Sequence, residues 1–313
     1  MNSHFSIYKN MNNLYWQVYK NIEQEFLSLS ETIFINDSQQ KVYSMRIADL
    51  LIRTVIEIEA LSKELYLENS GTKVPDEEMY FDTVCIKFLN DLWKLDKKVV
   101  FVVSPNICFD IEDNRVLRPF HKAMKRGKSS SDWKKAYQAV KHNRVKELKK
   151  GNIKNLLHGL SALYILNLYY KNERVDNISG KDRSLINLSF GSSLFSIKLH
   201  KVNGLNIEGE YDKKIDYDEC VYIEDHEKES KEKAIKSMIE MNNYMNNGMK
   251  EKLIELIEEK VSLGESISQE WIESIKLKLF RQLFPIKDYK LAKRLNDDLN
   301  NIHYDIVLNK HQY

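Results

Sequence analysis

The segment from Ile153 to Tyr170 constrains the fold more strongly than any other part of the chain. At helical spacing its apolar side chains point in every direction, which is typical of a helix at the centre of a protein. His158, Ser161 and Asn167 interrupt the run, so it stays below the roughly 20 apolar residues that a bilayer-spanning helix requires. We therefore expect a soluble protein whose other helices pack around this segment.

Three amphipathic segments precede the apolar helix. They extend from about residue 12 to 29, from 44 to 69 and from 75 to 95, and each repeats apolar residues at intervals of three and four. Pro75 opens the third segment with acidic residues in its first turn, as is typical of a helix start. With only 10 glycines and 4 prolines in the chain, the pattern predicts a mainly α fold with a helical bundle over residues 1–172.

Two short runs between the helical segments have the composition of strands. Residues 99–103 are all β-branched or aromatic, and they end at Ser104-Pro105-Asn106, after which residues 107–111 offer a second run. Their adjacency predicts a β-hairpin, which would be a small β insertion in the bundle.

The composition changes beyond residue 172. Residues 177–180 resemble a linker, and strand-like segments follow over residues 193–200 and 219–223. Helical patterns then return over three stretches, at about 228–261, 268–283 and 288–309. We therefore expect residues 173–313 to form a smaller α+β region.

Charge is distributed unevenly, although the net charge is only +2. Residues 121–150 contain eleven Lys and Arg against two acids, whereas residues 205–232 contain eleven acids against four lysines. RNA or another polyanion would meet the first region, because clustered cations attract phosphate groups. For the acidic tract and the methionine-rich helix behind it, residues 205–262, two interpretations stay open: an ordinary surface or an interface for a protein partner.

The richest set of chemical groups lies directly before the apolar helix, in the stretch 131–144. If this stretch is helical, one face carries Tyr137, Lys141 and Arg144, and the adjoining face carries Gln138 and His142. Cations beside a histidine disfavour its protonated form, so the imidazole would be a neutral base at neutral pH. Such a surface could face a phosphate group.

The same residues also allow a structural interpretation. The cations can form a solvated face while His142 bonds a neighbouring helix, and Trp133 can anchor the helix start instead of stacking on a base. His158 lies inside the apolar helix and can be a core histidine whose ring nitrogens are hydrogen-bonded within the protein. The residues alone leave both interpretations open.

The sequence predicts neither a metal nor another cofactor. Its three cysteines, Cys85, Cys108 and Cys220, are far apart and form no CxxC pair, which favours reduced thiols in the cytoplasm over a disulfide framework or a zinc site. No glycine-rich nucleotide loop, HExxH or GxSxG motif occurs.

Two features resemble a known family. One is the amphipathic helix that includes residues 46–66; the other is Tyr137-Gln138-Ala139-Val140-Lys141-His142 ahead of an apolar helix. Together they resemble the HEPN superfamily, helical-bundle domains associated with RNA cleavage or RNA binding in bacterial toxin–antitoxin and antiphage systems. The second feature is similar to the family's Arg-Asn-x-x-x-His motif, but Tyr137 and Gln138 stand at the Arg and Asn positions, so only His142 is retained.

The resemblance implies a metal-independent endoribonuclease of bacterial stress or antiphage defence. His142 would act in proton transfer during attack by the ribose 2′-hydroxyl, and Lys141 and Arg144 would stabilise the phosphate in place of the motif Arg. The residues expected to contact the RNA are Tyr137, Gln138, Lys134 and Trp133. The resemblance also implies a homodimer, since such bundles pair to bring two motifs together. The alternative, favoured by the missing Arg, is a catalytically inactive HEPN-like module that binds RNA or a protein partner.

Overall fold

The computed structural model of the chain describes residues 13–70, 72, 75–122, 131–202, 204–283, 286 and 289–313. It is mainly α with a smaller α+β region, as the sequence predicts. The described residues form ten α-helices: α1 Leu14–Leu29, α2 Met45–Ser70, α3 Ile86–Trp93, α4 Glu112–Arg115, α5 Asp132–His142, α6 Arg144–Glu147, α7 Ile153–Lys171, α8 Lys228–Ser262, α9 Gln269–Leu283 and α10 Tyr289–Asn300. Part of the basic region, residues 123–130, lies outside the described residues.

The apolar segment forms α7 and lies at the centre of the bundle. Fourteen of its 19 residues are buried, and α1, α2 and α5 pack around it. The chain enters α7 through Gly151, where an added Cβ would lie only 2.7 Å from the Cβ of Ala48 on α2. The absence of a side chain at Gly151 therefore permits the close approach of α2 and the start of α7.

The strands are short and belong to three sheets. They are β1 Ile35–Asn36, β2 Val100–Val102, β3 Ile107–Cys108, β4 Val116–Leu117, β5 Val175–Ser179, β6 Phe195–Ile197, β7 Leu199–His200, β8 Tyr222–His226 and β9 His303–Leu308. One sheet pairs β1 with β3, a second has the order β4-β2-β6, and a third has the order β5-β9-β8-β7.

The predicted hairpin is wrong, although both of its segments contain a strand. β2 pairs antiparallel with β4 and with β6, whereas β3 pairs parallel with β1. β2 thus lies between β4 and the distant β6, and it shares a buried apolar face with β6, made by Val100 with Ile197 and Val102 with Phe195. A pattern that compares only neighbouring residues cannot identify such a partner.

Two predictions about the C-terminal region are also wrong. β5 occupies the predicted linker, and β9 occupies the end of the segment predicted as a helix over residues 288–309. β9 is an inner strand, with β5 on one side and β8 on the other. Because its hydrogen-bond partners come from distant parts of the chain, local spacing gave no reason to end the helix at Asn300.

One hydrophobic core extends across residue 172, where the sequence predicts the division between the two regions. It includes α7 together with Phe195, Tyr222 and Ile306 from the strands. The hydroxyl of Tyr169, near the end of α7, donates to the carbonyl oxygen of Asn309 at 2.7 Å. The bundle and the third sheet are therefore packed directly on each other.

A buried carboxylate also joins the two regions. Glu23 of α1 accepts hydrogen bonds from the hydroxyl of Tyr19 at 2.7 Å and from the backbone N–H groups of Ser193 and Leu194 at 3.1 and 3.2 Å. The ammonium group of Lys20 pairs with it. Because a buried charge is tolerated only when it is paired and hydrogen-bonded, Glu23 fixes the position of the loop before β6 against α1.

The helices after β8 form a helical arm, which we define as residues 228–300. α8 has 35 residues and is therefore about 52 Å long. α10 packs on the first half of α8, where the hydroxyl of Ser237 donates to Asp298 at 2.6 Å. α9 packs on the second half, where the side chain of Leu283 lies against Gly248.

We predict that Gly151→Ala lowers the free energy of unfolding by about 1–3 kcal/mol, because the new methyl group overpacks the contact with Ala48. Gly159→Ala is the matched control, since its Cβ would meet nothing closer than 3.4 Å and alanine favours a helix over glycine by up to about 1 kcal/mol. Urea denaturation measures both. Equal effects of the two substitutions would contradict the close approach.

A second buried charge lies before β2. Lys98 is fully buried, and its ammonium group donates to the carbonyl oxygen of Cys220 at 2.9 Å. Burial lowers the pKa of Lys98 to about 8, because the charged form loses its hydration. Asn309 also donates to the same carbonyl oxygen at 3.1 Å, so that oxygen keeps a partner if the lysine is replaced.

We predict that Lys98→Met, which preserves the volume, raises the free energy of unfolding at pH 7. The unfolded lysine keeps its proton up to about pH 10.4, so between pH 8 and that value the unfolded state binds more protons and wild-type stability rises with pH. The advantage of the Met variant should therefore shrink between pH 8 and 10 in denaturant titrations. A pH-independent difference would contradict the lowered pKa.

Candidate nucleic-acid interface

α5 is fastened to the bundle by its aromatic residues. Trp133 is only 3% exposed, its indole Nε1 donates to the carbonyl oxygen of Pro119 at 2.9 Å, and its ring meets that of Phe120 edge to face. Trp133 therefore anchors the start of the helix. No open face of its ring is available for stacking on a base.

Tyr137 lies one helical turn further along and is also buried, at 2% exposure. The ammonium group of Lys141 lies 5.4 Å from the centre of the Tyr137 ring, a favourable cation–π distance. Hydrogen bonding with Tyr137 raises the pKa of Lys141. Tyr137 thus holds a protonated lysine at the end of α5 without reaching the surface itself.

Lys134 is turned away from this surface. It pairs with Asp82, ahead of α3, and its ammonium group lies 5.4 Å from the centre of the Phe81 ring. Burial lowers the pKa of Lys134. This lysine links α5 to the bundle, and its charge is already compensated.

The remaining predicted residues come together at the C-terminal end of α5. His142 is exposed, and its Nε2 lies 3.1 Å from the amide oxygen of Gln138. Arg144 pairs with Asp49 of α2 at 2.8 Å. The hydrogen-bond partner of His142 is therefore an amide, which acts as neither an acid nor a base at neutral pH, and Arg144 already has a carboxylate partner.

We define the basic corner as the cations of residues 141–150: Lys141, Arg144, Lys146, Lys149 and Lys150. Asn143 creates the turn, because its side-chain oxygen accepts from the backbone N–H of Lys146 and caps α6. The free carbonyl groups at the end of α5 favour cations at this place. Lys150 pairs with Glu147 at 2.8 Å, whereas Lys146 and Lys149 are exposed. The basic corner is thus a small surface on which four of the five cations are exposed.

Lys146, Lys149 and Lys150 belong to the basic region of the sequence but were not among the predicted site residues. The density of cations directly after the helix is the signal that indicates them. In the structure the exposed charge thus includes the predicted Lys141 and extends beyond it to Lys146, Lys149 and Lys150. Trp133, Tyr137 and Lys134, three of the predicted contact residues, lie inside or against the bundle.

His158 lies at the other end of α5. It is half-buried on α7 and lines a small cavity with Lys154 and Asn114. Burial, reinforced by the charge of Lys154, lowers the pKa of His158 to about 4, while Asp132 opposes this effect. Asp132 and His142 begin and end the helix, so they are about 15 Å apart. His158 and His142 therefore do not share one cleft.

Within the described ranges, no group of three or more His, Cys, Asp and Glu side chains is arranged to hold a metal ion. None of the described helices is both long enough and apolar enough to cross a membrane. Comparison with protein-family models, with curated protein sequences and with solved structures finds no match to this chain.

We predict that His158 makes the protein acid-sensitive. An unfolded histidine binds a proton near pH 6.5, whereas folded His158 does so only near pH 4, so its stabilising contribution is complete above pH 6.5 and is lost as the pH falls toward 4. The melting temperature of His158→Gln should therefore fall less than that of the wild type between pH 7 and pH 5. An equal fall in both proteins would show that His158 is accessible to protons when folded.

Proposed function

We propose that this chain is an RNA-binding module that holds the phosphate backbone on the basic corner. The observation that carries the proposal is the concentration of five cations within ten consecutive residues on an exposed turn. Lysines that project from a turn can reach successive phosphates, and the release of counterions then drives binding. RNA is preferred over DNA because of the resemblance to the HEPN superfamily.

We further propose that the module binds without cleaving. Metal-independent cleavage needs one group that removes the 2′-hydroxyl proton and another that protonates the leaving oxygen. At the basic corner, His142 has an amide partner, and the half-buried His158 is at the opposite end of α5. The motif Arg position holds Tyr137, which is buried. These features favour the catalytically inactive alternative over the endoribonuclease.

The proposal also includes a cellular context, a stress or antiphage system in the bacterial cytoplasm. The resemblance alone suggests a bacterial stress or antiphage system. Cytoplasmic residence fits the three cysteines, which are all free, with Cys108 exposed. We infer no cofactor for binding, since lysine and arginine supply the charge.

We predict that Lys146→Ala/Lys149→Ala weakens binding of a fluorescent single-stranded RNA by about tenfold or more. Loss of two phosphate contacts should also make the plot of log affinity against log salt concentration less steep by about 1.4. Fluorescence anisotropy at several salt concentrations measures both quantities. The matched control is Lys228→Ala/Lys236→Ala, which removes two exposed lysines from the arm and should leave affinity and salt dependence unchanged.

Cleavage is tested with the same RNA in EDTA. The wild type and His142→Ala should both leave the RNA intact and bind it equally. Cleavage by the wild type that is lost in His142→Ala would replace the binding proposal with the endoribonuclease. Equal losses of affinity in the corner and arm variants would refute the corner as the binding surface.

A further inference from the structure

The second half of α8 is the least buried long segment among the described residues. The buried residues of α8 are Ala234, Ser237 and Met245, all in its first half. Beyond Met245 the helix packs against α9, and its outer side stays exposed. Because helices in water are stabilised mainly by burial of an apolar face, this end of the arm has a surface suited to a partner.

That outer side combines aliphatic and acidic residues. Ile254 and Val261 are 45% and 59% exposed and lie two turns apart on one stripe. Glu251 and Glu258 occupy the positions between and beside them and are exposed. Residues 251–273 contain seven glutamates against two lysines. We call this surface, residues 251–273, the acidic tip.

One of the two lysines of the acidic tip is already compensated. Lys260 pairs with Glu265, and its ammonium group lies 5.3 Å from the centre of the Trp271 ring. Glu273 is also paired, with Lys276, but seven glutamates against two lysines leave the acidic tip with a net negative charge. A partner that fits this surface must supply several cations around an exposed apolar side chain.

The basic corner of the same chain has this composition. Its cations surround Val145, which is 94% exposed, and Lys146 and Lys149 flank it on the surface. Burial of the exposed Val145 side chain against Ile254 and Val261 would be favourable, because it removes apolar surface from water. The basic corner and the acidic tip also carry opposite charges. The corner and the tip are thus complementary in both charge and apolar content.

We propose that the acidic tip of one copy docks on the basic corner of a second copy. The proposed assembly is a two-fold dimer, in which each copy supplies its tip to the partner and its corner to the partner's tip, so that two equivalent contacts form. The tip then covers the cations to which we assign RNA. This regulatory consequence rests on the proposed function: dimerisation and RNA binding compete for one surface.

The docking is tested by sedimentation velocity without RNA, using charge reversal on each surface. The tip variant is Glu251→Lys/Glu255→Lys/Glu258→Lys, and the corner variant is Lys146→Glu/Lys149→Glu/Lys150→Glu. The wild type should form a dimer that dissociates with added salt, and each variant alone should weaken it about tenfold or more. An equimolar mixture of the two variants should dimerise again, because both contacts of the mixed pair then join opposite charges.

The control variant is Glu208→Lys/Glu210→Lys, which reverses two exposed acids outside the arm and should dimerise as the wild type does. Circular dichroism confirms that each variant is folded. A wild type that stays monomeric up to roughly 100 μM in low salt, a tip variant that still dimerises, or a mixture that does not recover would each overturn the docking.

RNA binding by the tip variant separates the two proposals. If both hold, a monomeric variant that removes the acids without adding cations, Glu251→Gln/Glu255→Gln/Glu258→Gln, binds RNA more tightly than the wild type, because its corner is uncovered. A monomeric tip variant without RNA affinity would refute the proposed function and leave the docking standing. A tip variant that remains dimeric while the corner lysines still bind RNA would refute the docking alone.

Discussion

The structure depends on the burial of α7 from every side. A helix without a polar face has to be enclosed, and here α1, α2 and α5 surround it while strands from the end of the chain complete the enclosure. The contact between Gly151 and Ala48 sets how closely α2 approaches. Because the same core takes side chains from before and after residue 172, the stability of the bundle and that of the third sheet are linked.

This requirement also determines which part of α5 can meet a ligand. Trp133 and Tyr137 are drawn into the core and Lys134 pairs with Asp82, so the middle of the helix serves the bundle. Its C-terminal end is exposed at Lys141 and His142. Lys146 and Lys149, which follow the helix, are exposed as well, and the side-chain partner of His142 is the amide of Gln138. This arrangement is the basis of our proposal that the surface holds a phosphate backbone without cleaving it.

The helical arm buries little of its surface. Only three of the 35 residues of α8 are buried, many charged residues of the arm are exposed, and the acidic tip lies at the end of α8 that has no buried residue. Opposite charge on two surfaces of one chain favours association of copies, at low salt above all. If RNA and the tip compete for the basic corner, ionic strength and RNA concentration would together determine how many copies are free.

The sequence by itself determined the helices, the central position of α7 and the uneven charge, because these follow from local periodicity and composition. It did not determine the strand partners of β2, the presence of β5 or the change from helix to strand before β9, since those depend on hydrogen bonds between residues far apart. For the candidate site, the sequence indicated the end of α5 where Lys141 and His142 are exposed. Only the tertiary structure decided which of Trp133, Tyr137, Lys141 and His142 reach the surface, because burial depends on what packs against the helix.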